Sequence, residues 1–241
     1  MPAYELTPIG LIESPFVEKF GLPRQPGLIK HAKACVRMLP PYDQEDAFRG
    51  IASASHLWLI FGFHQHYGHE WKPLVRPPRL GGNKKVGVFA TRSSFRPNPI
   101  GMSVVAFQGL RKTGEGLYLD IGCPDLIDGT PIYDIKPYLP YADGIHDAHF
   151  ALAEESPDTH RLNVTFSSEA LSALQHYTKS LPALRSLIEE VIAQDPRPAY
   201  RQTESSGDYG IRLYGLNILW TINQKTATVT TIQAFNENSL V

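Results

Sequence analysis

Short apolar runs broken by turn residues fill the first 140 positions. Residues 4–12, 33–39, 56–63, 85–89, 103–110, 117–122 and 131–135 have strand length and strand-like alternation. Their spacing suits an all-β barrel or sandwich better than alternating βαβ units. Sixteen of the 20 prolines lie at or before Pro140, which keeps helix interiors out of this part.

A polar stretch over residues 142–160, with Gly144, Pro157 and several acids, breaks the pattern and reads as a linker or domain crossing. Beyond it the period changes. Leu171, Leu174 and Tyr177 recur at helical spacing, and Leu184, Leu187, Ile188, Val191 and Ile192 mark a clearer amphipathic helix. Strand-like runs at 161–166, 211–213, 216–222 and 227–235 complete a small α+β unit. The expected division is a mainly β domain over residues 1–142, a crossing over 143–160, and a smaller α+β domain over 161–241.

Charge changes this picture from a bland one to a polarised one. The formal net charge of the 241-residue chain is −1, which by itself argues against a polyanionic partner. Residues 71–112, however, hold nine basic side chains and no acidic one, against 14 basic and 24 acidic elsewhere. Cys35 and Cys123 are too few for a disulfide framework and lack zinc spacing. The first residues carry no basic stretch followed by an apolar run, and no later segment is apolar for long enough to span a bilayer. A soluble cytoplasmic protein without membrane association is the expectation.

Three loops concentrate candidate chemistry. The densest pairs Arg76-Pro77-Pro78-Arg79-Leu80-Gly81-Gly82-Asn83 with residues 91–101, Thr91-Arg92-Ser93-Ser94-Phe95-Arg96-Pro97-Asn98-Pro99-Ile100-Gly101. Proline and glycine hold such loops in one shape, and arginines displayed on them offer planar forks to phosphate or carboxylate. Residues 19–28 form a second restrained loop, with Arg24 and Gln25. In Pro124-Asp125-Leu126-Ile127-Asp128-Gly129-Thr130-Pro131 two carboxylates lie three apart, suited either to ribose hydroxyls or to capping a turn, and spacing favours the turn. Asp134 and Lys136 share a strand face, as a salt bridge or as a pair that handles protons and holds substrate. His64, His66 and His69 raise a metal site, but no acidic or sulfur partner beyond Glu70 has suitable spacing, so no metal is expected. Neither GxGxxG nor GxxxxGKS/T is present, which excludes a Rossmann dinucleotide site and a P-loop.

Together these segments, with Ser55-His56-Leu57-Trp58, residues 134–142 and Asp195-Pro196-Arg197-Pro198-Ala199-Tyr200, resemble one family. It is the bacterial and archaeal TsaA/YaeB/TrmO family of S-adenosylmethionine-dependent tRNA methyltransferases acting on N6-threonylcarbamoyladenosine. The departures are small, at Gly21 and Ser94. The resemblance implies a non-Rossmann β-barrel that binds S-adenosylmethionine, a smaller C-terminal domain, and a homodimer with the cofactor near the subunit interface. It points to Arg24, Gln25, Pro26, His64, Gln65, Arg92, Met102, Asp125, Leu126, Ile127 and Asp128 as cofactor-binding residues. The expected reaction is N6-methylation of threonylcarbamoyladenosine at position 37, beside the anticodon, in a tRNA expected to be threonine tRNA.

A urea-like N6 is a poor nucleophile while protonated, so a base helps; Asp134 and Tyr138 are candidates, with Lys136 or a loop arginine on the threonyl carboxylate. Arg76, Arg79, Lys84, Lys85 and Arg96 are expected on tRNA, and Phe89, Phe95 or Tyr138 on a splayed base. Two other classes compete: a non-catalytic RNA-binding or regulatory barrel, and an arginine-loop enzyme acting on a small phosphorylated metabolite. Transfer of labelled methyl groups separates them.

Overall fold

The computed structural model describes residues 5–77, 84–152, 161–198, 201–202 and 204–235. Six antiparallel strands close into a ring: β1 (Gly10–Glu13), β2 (Ala34–Met38), β3 (His56–Gly62), β6 (Ile100–Thr113), β7 (Gly116–Ile121) and β8 (Pro131–Pro137), in the order β1-β2-β7-β6-β3-β8. Alternation along each strand sends Val36, Leu57, Leu59, Val105, Leu117, Leu119, Ile121 and Ile132 into one interior core.

Two short strands, β4 (Leu74–Val75) and β5 (Val86–Gly87), form a separate ladder beside the ring. Only Val86–Gly87 of the expected strand 85–89 pairs; Val88–Ala90 turn instead as a single 3₁₀ turn. Of the expected strand 4–12, residue 4 lies outside the described residues; among those described the strand begins at Gly10, past Pro8, which has no N–H to give to a ladder.

Past the four-residue α1 (Pro140–Asp143) lies the second unit. Its four-stranded sheet runs β10 (Ser206–Leu213), β11 (Leu216–Asn223), β12 (Thr226–Ala234), β9 (Asn163–Phe166), covered by α2 (Ser168–Tyr177) and α3 (Leu184–Ala193). Ser167 caps α2, accepting from the Ala170 N–H at 3.2 Å. Tyr214 and Gly215 both have positive φ, 51° and 73°, the geometry of a two-residue hairpin turn. Within this unit Asp195 and Arg197, 4 % and 3 % exposed, form a forked ion pair at 2.7 and 2.8 Å. Arg197 also donates to the carbonyls of Arg201 and Glu204, so the motif that begins at Asp195 ties a loop shut.

The two units are not separated in sequence. Phe16, Ile29, Ala32 and Cys123 belong to the second core, among residues of α3, β10 and β11. Phe16 and Ile29 are each 1 % exposed, and burying each contributes about 1.5–3 kcal/mol. Residues 14–32 thus leave the ring after β1, pack on the second unit and return at β2. Among the described residues no helix is long and apolar enough to cross a membrane.

Candidate functional site

Strand pairing decides which loops meet. Because β3 is antiparallel to both β6 and β8, the end of β3 lies beside the starts of those two strands, with Phe61 opposite Gly101 and Ile132. The connections 14–32, 63–99 and 122–130 therefore gather at one end of the ring. There they enclose a cavity of about 730 Å³ lined by Lys19, Leu22, Arg24, Phe61, Phe63, His64, Gln65, His66, Arg92, Ser94, Phe95, Asp125, Leu126 and Ile127, among others.

Each loop is fixed locally. In the third, Thr130 Oγ1 donates to the Ile127 carbonyl at 2.6 Å, and the Asp128 and Gly129 N–H groups donate to Phe16 and Ile12 carbonyls, both at 2.8 Å. Asp128 accepts from the Ser14 N–H at 2.9 Å and faces away from the cavity. Asp125 points inward, where Ser103 Oγ donates to it at 2.6 Å. The two carboxylates thus differ: Asp128 ties this loop to the end of β1 through Ser14, the turn itself being closed by Thr130 on Ile127, and Asp125 faces the cavity. Burial raises the Asp125 carboxyl above its usual range, opposed by the Ser103 hydrogen bond and the Arg92 charge.

In the first loop Gly27, at φ 76°, donates its N–H to the Cys123 carbonyl at 3.0 Å, which sets the loop beside Asp125. Gln25 Oε1 accepts from Arg92 Nη1 at 2.8 Å, joining the first loop to the second. Pro26 is not part of the cavity wall.

The second loop brings His66, 8 % exposed, edge-on to Phe95 at 4.7 Å, with Lys19 Nζ at 3.2 Å and Ser94 Oγ at 3.3 Å from its Nε2. Burial, and then the Lys19 charge, keep His64 and His66 neutral to lower pH than free imidazole. Among the described residues no group of three His, Cys, Asp or Glu is placed to hold a metal. Among the described residues, Lys19, Arg24, Lys72, Arg76, Lys85 and Arg92 line the cavity against one carboxylate, that of Asp125.

Other expected residues lie elsewhere. Ser103 faces the ring interior, so its neighbour Met102 faces out, 55 % exposed. Register places Met102 beside Ile60 and Ile60 beside Asp134, one row across the outer face of β6, β3 and β8. Asp134 and Lys136 are ion-paired there at 2.7 Å. Tyr138, six residues beyond Ile132 and therefore about 20 Å along the strand direction, packs near His56 and Trp58. None of these four lines the cavity.

Arg96 Nη1 donates to the Thr91 and Val88 carbonyls at 2.7 and 3.3 Å, holding its own loop rather than facing solvent. Lys84, Lys85 and Arg76 are exposed, and Arg79 lies outside the described residues. Phe95 lines the cavity, whereas Phe89 is 72 % exposed. Ser103 is not among the sequence candidates; its signal is a hydroxyl in the inward row that continues with Val105 and Phe107 of β6. His66 is among them only as a metal candidate.

The family model described as the tRNA-methyltransferase O N-terminal domain matches residues 11–144, and the TrmO C-terminal domain model matches residues 159–235. A tRNA (adenine(37)-N6)-methyltransferase of Escherichia coli (strain K12) is 47 % identical over 223 residues, covering 92 % of this chain and 94 % of that protein. A putative S-adenosylmethionine-dependent methyltransferase, RcsF, of Pseudomonas aeruginosa is 45 % identical, covering 90 % and 92 %. The crystal structure of TrmO from Pseudomonas aeruginosa superposes with a TM-score of 0.79 at 36 % identity, covering 97 % of this chain and 99 % of that one.

Proposed function

The chain belongs to the tRNA-methyltransferase O family, and from that premise we propose that the cavity at the ring's end binds S-adenosylmethionine and presents its methyl group to N6 of an adenine in tRNA. The protein is an S-adenosylmethionine-dependent tRNA methyltransferase. The ring is read as a barrel that holds the cofactor without a Rossmann sheet. The observation that carries the assignment to this site is the convergence of Arg24, His64, Gln65, Arg92, Asp125, Leu126 and Ile127, from three separate connections, on one cavity.

The lining fits the cofactor's chemistry. About 730 Å³ falls within the usual range for small-molecule sites. Leu22, Phe61, Phe63, Leu126 and Ile127 supply apolar surface, Asp125 an acceptor for an ammonium or ribose hydroxyl, and Arg24 and Arg92 donors for a carboxylate. When bound, S-adenosylmethionine supplies an electrophilic methyl on a sulfonium.

The residues of this chain then position and desolvate. The connections would hold the cofactor so that the acceptor nitrogen can approach in line, and such positioning contributes strongly to the rate of a displacement. Six cations against one carboxylate exceed what a net-cationic cofactor requires, so the surplus is assigned to an anionic acceptor and its phosphates.

The finer reading is N6-methylation of threonylcarbamoyladenosine at position 37 of threonine tRNA, by a cytoplasmic homodimer. On this reading a second copy turns its outward row of Met102, Asp134 and Lys136 towards the cavity rim, and Asp134 is the proposed acceptor of the N6 proton. Mass spectrometry of tRNA from cells lacking the protein tests the reaction. Loss of the N6-methyl mark from threonylcarbamoyladenosine is expected; its retention at full level, with no second methyltransferase present, defeats the assignment.

A further inference from the structure

The loop that supplies Arg24 to the cavity, and Gln25 to Arg92, is held from the C-terminal side. Glu18 receives three hydrogen bonds from Arg212 of β10: the backbone N–H at 3.0 Å on Oε1, Nε at 3.0 Å and Nη2 at 2.8 Å on Oε2. The Arg212 guanidinium lies over the Phe235 ring at 4.7 Å. At the loop's other end Glu190 of α3 accepts from the His31 N–H at 3.0 Å and contacts His31 Nδ1 at 2.8 Å, while Gln194 Nε2 donates to the Leu28 carbonyl at 3.3 Å. Between them Phe20 and Leu22 pack on the second core. Gly21, at φ 85°, comes so close that an added Cβ would lie 3.3 Å from Val191 Cγ1. Between its two anchors the loop reaches the cavity through Lys19, Leu22, Pro23 and Arg24.

We propose that the C-terminal unit acts as a cofactor-loop clamp, with Glu18 and Arg212 as positioning residues that set affinity for S-adenosylmethionine without touching it. Binding to a mobile loop loses free energy to ordering it, and a loop already clamped at both ends loses less. The clamp therefore acts on cofactor binding more than on the transferring atoms. The inference rests on the cofactor assignment above.

The test uses the full-length protein carrying Glu18→Gln or Arg212→Met. Both are expected to raise the Kd and KM for S-adenosylmethionine roughly three- to tenfold, the range of a partly exposed charge-assisted pair, with kcat at saturating cofactor little changed. Amide exchange over residues 19–27 becomes faster in both. Leu174→Ala, in α2, which packs on β12, β9 and α3, serves as the stability control. It lowers the melting temperature while leaving the cofactor Kd unchanged at temperatures where it is folded.

Unchanged Kd and unchanged exchange in both clamp variants overturn the proposal. So does an equal rise in Kd for Leu174→Ala, which would make the effect one of general stability. Should the wild type bind no S-adenosylmethionine, the cofactor assignment fails, and faster exchange in the clamp variants still establishes the clamp.

Discussion

Ser103 Oγ donates to Asp125 Oδ1 at 2.6 Å, joining an inward position of β6 to the connection that follows β7. The bond supports a carboxylate that burial disfavours, since desolvation raises its pKa and Ser103 is the first influence opposing that rise. Burying a carboxylate in this way costs stability, which fits the proposed role of Asp125 towards a ligand.

Asp125→Asn separates these two roles. Asn still accepts from Ser103, and the buried charge is gone, so the unliganded variant is expected to melt no lower than wild type at neutral pH. Its affinity for S-adenosylmethionine falls about tenfold or more, the value of a charge-assisted hydrogen bond. Because the folded pKa is raised, the carboxyl is protonated at higher pH than an exposed one. Wild-type cofactor affinity therefore weakens early on the acid side, and the Asn variant lacks that limb. Calorimetric titration across pH, with melting curves, checks both; a variant that binds normally removes Asp125 from the site.

His66 provides a second pH response, of opposite sign for stability. Its pKa is lowered by burial first, then by Lys19 and His69, from a reference of 6.5. The unfolded chain therefore takes up protons before the folded one as pH drops, so this stability is complete above about 6.5 and declines below it. Lys19→Met removes the second cause. The His66 imidazole should titrate higher in nuclear magnetic resonance spectra of that variant, and its melting temperature should fall less between about pH 7 and 5. A His66 titration identical to wild type contradicts the coupling.

Strand positions were readable wherever alternation was clean: β3, β7, β8 and β11 lie within about two residues of their apolar runs. Closure of the ring is expected only through the family resemblance, because hydrogen-bonding between β1 and β8 joins residues about 120 apart, and no local pattern encodes which strand edges meet. The same non-locality hid the crossing of residues 14–32 onto the second core. Phe16 and Ile29 look like ordinary apolar loop residues until α3 and β10 are seen to cover them. Asp125 and Asp128 are legible as a pair but not as opposites, since only the long-range hydrogen bond from Ser14 reveals which one faces away from the cavity.

Basic residues of the second connection should separate by salt dependence. Lys85 is exposed at the cavity mouth, whereas Arg96 is bound to carbonyls of its own loop. Lys85→Ala is expected to lower the slope of log affinity for tRNA against log salt by about 0.7, one phosphate contact on a single-stranded loop. Arg96→Ala should weaken activity by disordering the loop, with little change in slope. Filter binding at four salt concentrations distinguishes them, and a slope change at Arg96 equal to that at Lys85 would return Arg96 to the phosphate contacts.

The outer row leads to a final test, by subunit mixing. Arg92 lines the cavity, while Asp134 lies on the outer face of the same chain, beside Ile60 and Met102. If Asp134 serves the cavity of a second copy, Arg92→Ala and Asp134→Asn disable every site in their own homodimers, yet a mixed dimer contains one site built from two intact contributions. Random exchange makes half the dimers mixed, each with one of two sites complete, so activity should return to roughly a quarter of wild type. The measurement is methyl transfer to tRNA after co-refolding the two inactive variants at equal concentration, compared with each alone. Recovery near that level places Asp134 across the interface. No recovery, with dimers verified by sedimentation, excludes Asp134 from the partner's cavity and redirects the search for a base to the cavity's own wall, where burial and Lys19 lower the pKa values of His64 and His66.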